Sequence, residues 1–366
     1  MAKKINYNQG MKSGKYSKLK IVWHPEKLLS FVKGEITAPI YIRLKPTNKC
    51  NHRCFFCVYN PSFSGIHDNI DTNDEISWEK MKEILEDFKE MGIKAVTLSG
   101  GGEPLVYKHI IPTLKRILEK KIKLSIITNG QLLEGEVARL LGHSSWIRIS
   151  VDYCDEKIFS KTRQLPEKMF FQIKQNIRNF AKKKELGCSL GINFVIHEYN
   201  QHQIFEAAKF YKNLGADNIR FSAMWTKKFE EYHRSFRNEA IKQIDCAKRE
   251  LSDESFEVGS SYSNYFEASG RNKRFYDRCL FLQVVPVIAA DSKVYFCHNK
   301  AYDPTGCLGS IMNKRFKELW FSEEVAHTMK SFNPRKSCNH ECANDEKNIL
   351  YHEMISCYDP NVAGFP

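Results

Sequence analysis

No stretch of this 366-residue chain approaches the ~20 consecutive apolar residues needed to cross a bilayer. No apolar run of signal-peptide type follows Met1-Ala2-Lys3-Lys4-Ile5 either. A cytoplasmic protein without a membrane partner is the expectation, and in a reducing compartment its 12 cysteines are not disulfide partners. Their grouping at 50/54/57 and 338/342 favours metal instead. Acidic residues are in deficit, leaving a formal net charge of +13. Lysines interleave with acids on helical faces such as Glu79-Lys80-Met81-Lys82-Glu83, the pattern of solvated amphipathic helices. No helix-turn-helix or RNA-recognition pattern accompanies the charge, so nucleic acid is a disfavoured partner.

A fourth thiol is also missing where one is expected. Cys50-x3-Cys54-x2-Cys57 follows an apolar, strand-like segment, and iron–sulfur clusters and structural zinc both ordinarily take four ligands. Three cysteines on one loop leave a metal position for something else, which suggests chemistry rather than a structural staple.

Strand-length apolar runs recur at 40–44, 95–99, 124–128, 146–151, 190–196 and 218–223. Helical patterns separate them at 78–91, 110–119, 134–141, 169–184 and 203–214. Ser77 is a sensible N-cap, and Gly92, Gly187 and Gly215 suit left-handed C-caps. Six strands alternating with helices predict a parallel α/β sheet with right-handed crossovers, too short to close an eight-stranded barrel. Residues 1–37 read as an N-terminal cover, 38–225 as the partial (β/α)6 barrel, 226–278 as a helical linker and loop, and 279–366 as a small α+β module. Within the linker, residues 259–264 read as a loop over the barrel mouth.

The cysteine loop resembles that of the radical S-adenosylmethionine (AdoMet) enzymes, in which three cysteines hold a [4Fe-4S] cluster and AdoMet chelates the fourth iron. Ser99-Gly100-Gly101-Gly102-Glu103, at the second strand's end, resembles that family's Gly-Gly-Glu motif, which implies that Gly101, Gly102 and Glu103 bind the methionyl amino group. The resemblance further assigns Asn129, Ser150, Asp152, Arg163 and Asn200 to AdoMet. Read as residues alone, Asn129-Gly130 fits a simple turn and Arg163 a surface ion pair. Cys154, past the fourth strand, is a candidate hydrogen donor to a substrate radical.

Cys279, a hairpin pattern ending at Cys297, an amphipathic helix over 316–329 and Cys338-x3-Cys342 resemble the "twitch" module, a short form of the SPASM extension. In that module four cysteines hold an auxiliary [4Fe-4S] cluster. Ser292 stands where the module usually has glycine, and Cys-x3-Cys replaces Cys-x2-Cys, so His340, His298, Cys307 and Cys357 stay open as ligands. A four-cysteine zinc site fits the same spacing. The resemblance implies two clusters, AdoMet, and an electron donor such as flavodoxin or ferredoxin. The expected reaction is oxidation or epimerisation of a small sugar, aminocyclitol or nucleotide. Peptide modification, nucleic-acid modification and a non-catalytic metal protein are the alternatives.

Overall fold

The computed structural model describes residues 17–59, 69–263, 266, 274–338 and 342–359. One ten-stranded sheet organises them: β1 (Tyr41–Leu44), β2 (Ala95–Leu98), β3 (Lys123–Thr128), β4 (Trp146–Val151), β5 (Ser189–Ile196), β6 (Asn218–Ala223), β7 (Glu257–Ser260), β8 (Val287–Ile288), β9 (Lys293–Tyr295) and β10 (Cys307–Ser310). Its order is β10-β9-β8-β1-β2-β3-β4-β5-β6-β7, with β1 to β7 parallel in sequence order and the sheet not closed. This is the partial α/β barrel the alternation predicts.

Alternation along each strand decides its two faces. Ile42, Leu44, Val96, Leu98, Ile147, Ile149, Ile219 and Phe221 are fully or almost fully buried in one continuous core. Helix α1 (Pro25–Lys33) precedes β1, and helices α2 (Trp78–Glu90), α3 (Ile110–Glu119), α4 (Gly135–Leu141), α5 (Glu156–Arg163), α6 (Lys168–Lys183) and α7 (Ile204–Asn213) cover that face. The opposite, inner face is polar: Tyr41 Oη donates to Thr97 Oγ1 at 2.6 Å, and Thr97 in turn contacts Ser125 Oγ.

Several expectations need correction. Residues 257–260, partly assigned to a loop, form β7, because they can pair in parallel with β6 from Asn218↔Glu257 to Phe221↔Ser260. Helix α5 has no periodic signal in the sequence; EKIFSKTR is mostly polar, and the helix begins because Asp155 Oδ1 accepts from the amides of Lys157 and Ile158, each at 2.9 Å. The expected 316–329 helix is two, Phe316–Trp320 and Glu323–Ser331, interrupted where Ser322 caps the second. Gly92 and Gly215 do adopt positive φ (70° and 89°), but Gly187 is no C-cap, since α6 ends at Lys183 with an extended Lys184. The C-terminal hairpin also extends the barrel sheet: β8 pairs in parallel with β1 through Arg43↔Val287 and Leu44↔Ile288. Among the described residues no helix is long and apolar enough to cross a membrane.

Candidate radical AdoMet site

Lys45 to Cys57 leave the C-terminal end of β1 and run across the neighbouring strand ends. The loop is pinned from two sides. On one, Gly102 N donates to Thr47 O (3.1 Å) and Glu103 N to Lys49 O (2.9 Å). On the other, the amides of Arg53 and Phe55, flanking Cys54, donate to the last carbonyls of α5, Arg163 O (3.2 Å) and Thr162 O (3.1 Å). A helix the sequence reading missed therefore anchors the central cysteine.

The glycines matter here for space rather than for unusual φ, since none of Gly100, Gly101 and Gly102 has positive φ. A Cβ on Gly102 would lie 2.0 Å from Lys49 O, and one on Gly101 would lie 2.0 Å from Asn48 Oδ1 and 2.8 Å from Tyr302 Oη. The glycine strand end is thus a cradle for the backbone just before Cys50.

Glu103 is buried and bonded at both oxygens. Thr128 Oγ1 (2.6 Å) and Leu105 N (3.0 Å) donate to Oε1, and Asn129 N donates to Oε2 at 2.7 Å. Burial nonetheless dominates and pushes its carboxyl up to about 6, a group that a bound cation would return to its ionised form. The Asn129-Gly130 dipeptide is a turn, and Asn129 is bonded within the mouth. Gly130 turns the chain at φ 83°, while Asn129 Nδ2 donates to Asn51 Oδ1 at 2.8 Å.

Ser150, Asp152, Arg163 and Asn200 also meet. Arg163, 3% exposed, donates from Nη1 to Cys54 Sγ at 2.9 Å and from Nη2 to Ser150 O at 3.3 Å, and it pairs with Asp152. Burial opposes the charge on Asp152, but Arg163 and then His197 hold its carboxyl below the usual range. Asn200 Nδ2 donates to Asp152 O and Val195 O, both at 2.8 Å, so Asn200 braces the ends of β4 and β5. His197, which sequence reasoning missed, places Nε2 3.0 Å from Asp152 Oδ2. Its position one residue beyond β5 is the signal that could have found it.

Cys154 does not join this group. Tyr153 turns into the aromatic cluster with Phe159 and Phe170, and the Cys154 thiol lies 3.5 Å from Gln203 Oε1, at the start of α7. Burial, with Asp155 and Glu206 nearby, pushes that thiol up to about 12.

The second cysteine set gathers in the C-terminal module. Burial pushes Cys279 and Cys297 up to about 12, reinforced at Cys279 by Cys297 and Cys342 and at Cys297 by Cys342 and Cys338. Each of the four thiols thus lies within electrostatic reach of at least one other of the set. Cys307 instead neighbours Lys293, Asp291 and Glu324, and Cys357 is exposed. His298 packs edge-on to Tyr59 at 6.3 Å, and His340 lies outside the described residues. Among the described residues no three His, Cys, Asp or Glu side chains surround a single ion position.

At the loop mouth the residue types suit the groups implied there. Burial raises Cys50 to about 12 and Cys54 to about 11, so both thiols are protonated until a metal displaces the proton. Asn51 Nδ2, Ser99 Oγ and Arg163 Nε are buried around this mouth without hydrogen-bond partners, as donors awaiting a ligand would be.

Residues 44–221 match the family model of the Radical SAM superfamily. GTP 3',8-cyclase from Clostridium perfringens (strain SM101 / Type A) is 31% identical over 225 residues, covering 58% of this chain and 64% of that protein. The chain thus spans 64% of that curated relative's length. The fold is similar to that of Streptococcus suis SuiB bound to precursor peptide SuiA, with TM-score 0.62, 18% identity and coverage of 85% of this chain and 71% of that one. It is also similar to anSMEcpe with bound AdoMet, with TM-score 0.59, 16% identity and coverage of 89% and 97%. The cysteine loop, its glycine cradle and the buried Glu103 all fall within the matched span, and residues 44–221 of this chain are a Radical SAM superfamily domain.

Proposed function

We propose that the chain is a radical AdoMet enzyme that takes a hydrogen atom from a small anionic substrate of the sugar or nucleotide class. On this reading Cys50, Cys54 and Cys57 hold a [4Fe-4S] cluster, and Gly101, Gly102 and Glu103 receive the AdoMet amino group. Cys279, Cys297, Cys338 and Cys342 hold a second, fully ligated cluster. Residues 38–225 form the AdoMet unit and 279–366 the auxiliary unit. Bound cluster and AdoMet would supply one-electron cleavage of the sulfonium and hydrogen-atom abstraction, fed by a donor such as flavodoxin or ferredoxin.

The protein's own contribution is positioning. Glu103 offers a dehydrated carboxylate to an ammonium group, and the loop's double anchoring fixes its cysteines relative to that carboxylate. The observation that carries the substrate class is positive charge on the inner face of the sheet. Arg43, Arg148 and Arg220 alternate with the core residues of β1, β4 and β6 and so face inward. Lys347 joins them: burial, then Arg43 and Lys20, push its ammonium below the usual value. Cations crowded in this way favour an anionic ligand. The Clostridium relative's name, GTP 3',8-cyclase, supports the same class.

The test is release of 5′-deoxyadenosine by anaerobically reconstituted, dithionite-reduced protein given AdoMet, with a panel of nucleotides, sugar phosphates and peptides. Stimulation by the phosphorylated compounds is expected. Stimulation by peptides alone would overturn the substrate class, and no release under any reductant would overturn the enzyme reading.

A further inference from the structure

Arg163 is assigned by resemblance to AdoMet, yet its strongest placement is elsewhere. Nη1 donates to Cys54 Sγ at 2.9 Å, and the backbone of α5 holds the amides on both sides of that cysteine. The guanidinium is enclosed by the rings of Phe56 (5.3 Å) and Tyr153 (5.4 Å). Asp152 fixes its other nitrogen, His197 fixes Asp152, and Asn200 braces the Asp152 carbonyl. Asp152, Tyr153, Arg163, His197 and Asn200 are all buried, with Cys54 and Phe56 half-buried against them, so the arrangement is built rather than incidental.

We infer that Arg163, oriented by Asp152 and His197, polarises the Cys54 sulfur and sets the reduction potential of the cluster on that loop. This rests on reading Cys50, Cys54 and Cys57 as cluster ligands. A cationic donor on a ligating sulfur stabilises the state with more negative charge, which is the reduced cluster, and so raises the potential. Burial strengthens the effect, because little water screens it. Arg163 is thus a positioning and tuning residue for electron entry, acting before AdoMet is bound.

The test is an EPR-monitored redox titration of reconstituted protein without AdoMet, following the signal that shifts when AdoMet is added afterwards. Arg163→Met with Asp152→Asn removes both charges together and leaves no lone buried ion. The reduction equilibrium is expected to weaken at least tenfold, a fall of 59 mV for a one-electron couple. Arg163→Lys keeps the charge but loses the fork, so its potential should fall by less. That variant decides the matter if the double variant does not take up iron. An unchanged potential in iron-replete variants, with AdoMet affinity weakened, would overturn the inference and return Arg163 to AdoMet alone. A wild-type protein with no AdoMet-responsive signal would instead sink the underlying cluster reading.

Discussion

Alanine at Gly101 and at Gly102 should have similar costs in stability but opposite consequences for the cluster. At Gly102 the new Cβ meets backbone, 2.0 Å from Lys49 O and 2.5 Å from Asn48 C. Relief requires the chain immediately before Cys50 to retreat by about 1.4 Å to reach the 3.4 Å of ordinary contact. That movement breaks Gly102 N→Thr47 O and Glu103 N→Lys49 O. Two such bonds amount to ~2 kcal/mol. At Gly101 the Cβ meets the ends of two side chains, Asn48 and Tyr302. Rotating Asn48 away sacrifices its bonds to Asp71 O (2.8 Å) and to Tyr302, again ~2 kcal/mol, but leaves the cysteine backbone in place. Iron and sulfide assays after anaerobic reconstitution, with thermal melts alongside, separate the cases. Gly102→Ala should fail to load the loop cluster, whereas Gly101→Ala should load it with a comparably lowered melting temperature. A fully loaded Gly102→Ala protein would refute the cradle.

Three further outcomes follow from individual residues. Ser292 occupies the left-handed region at φ 57° in the β8–β9 turn, where its amide donates to Ala289 O at 3.0 Å and its carbonyl accepts from Ile311 N at 2.8 Å and Ser310 Oγ at 3.3 Å, all backbone roles that glycine keeps. Ser292→Gly should therefore raise stability by about 0.5 kcal/mol, read as a higher urea midpoint, once glycine's extra chain entropy offsets part of the relieved strain. Glu103, pushed up to about 6, is protonated below that pH and cannot hold an ammonium. AdoMet affinity should thus fall as pH drops through 6, and Glu103→Gln should bind weakly with a flat profile in calorimetry. Cys154 packs toward Gln203, outside the Cys54–Arg163 group, so Cys154→Ala should leave 5′-deoxyadenosine release and solvent-deuterium entry into product unchanged. Loss of that deuterium would restore it as a donor.

What could be read in the chain depended on whether a signal was local. Trp146–Val151, Asn218–Ala223 and Ile110–Glu119 have the boundaries expected of them, because apolar periodicity and flanking polar residues delimit each element. Glu257–Ser260 carries only one buried residue, Val258, so nothing but its neighbour β6 makes it a strand. Helix α5 buries just Phe159, Thr162 and Arg163, too few to show a periodic stripe. The site divides in the same way. The cysteines and Gly-Gly-Glu are legible as spacing, while His197 and the backbone grip of α5 on Arg53 and Phe55 exist only once strands β4 and β5 lie side by side. Cys154 is close to Asp152 in sequence, yet its thiol lies against Gln203 at the start of α7, a placement that sequence proximity does not show.

The most direct measurement is 5′-deoxyadenosine release by reduced, anaerobically reconstituted protein, compared with Cys54→Ala prepared identically. The account predicts AdoMet-dependent release from the first and none from the second. Equal release from both, or none from either while the iron of the loop cluster is in place, would contradict it.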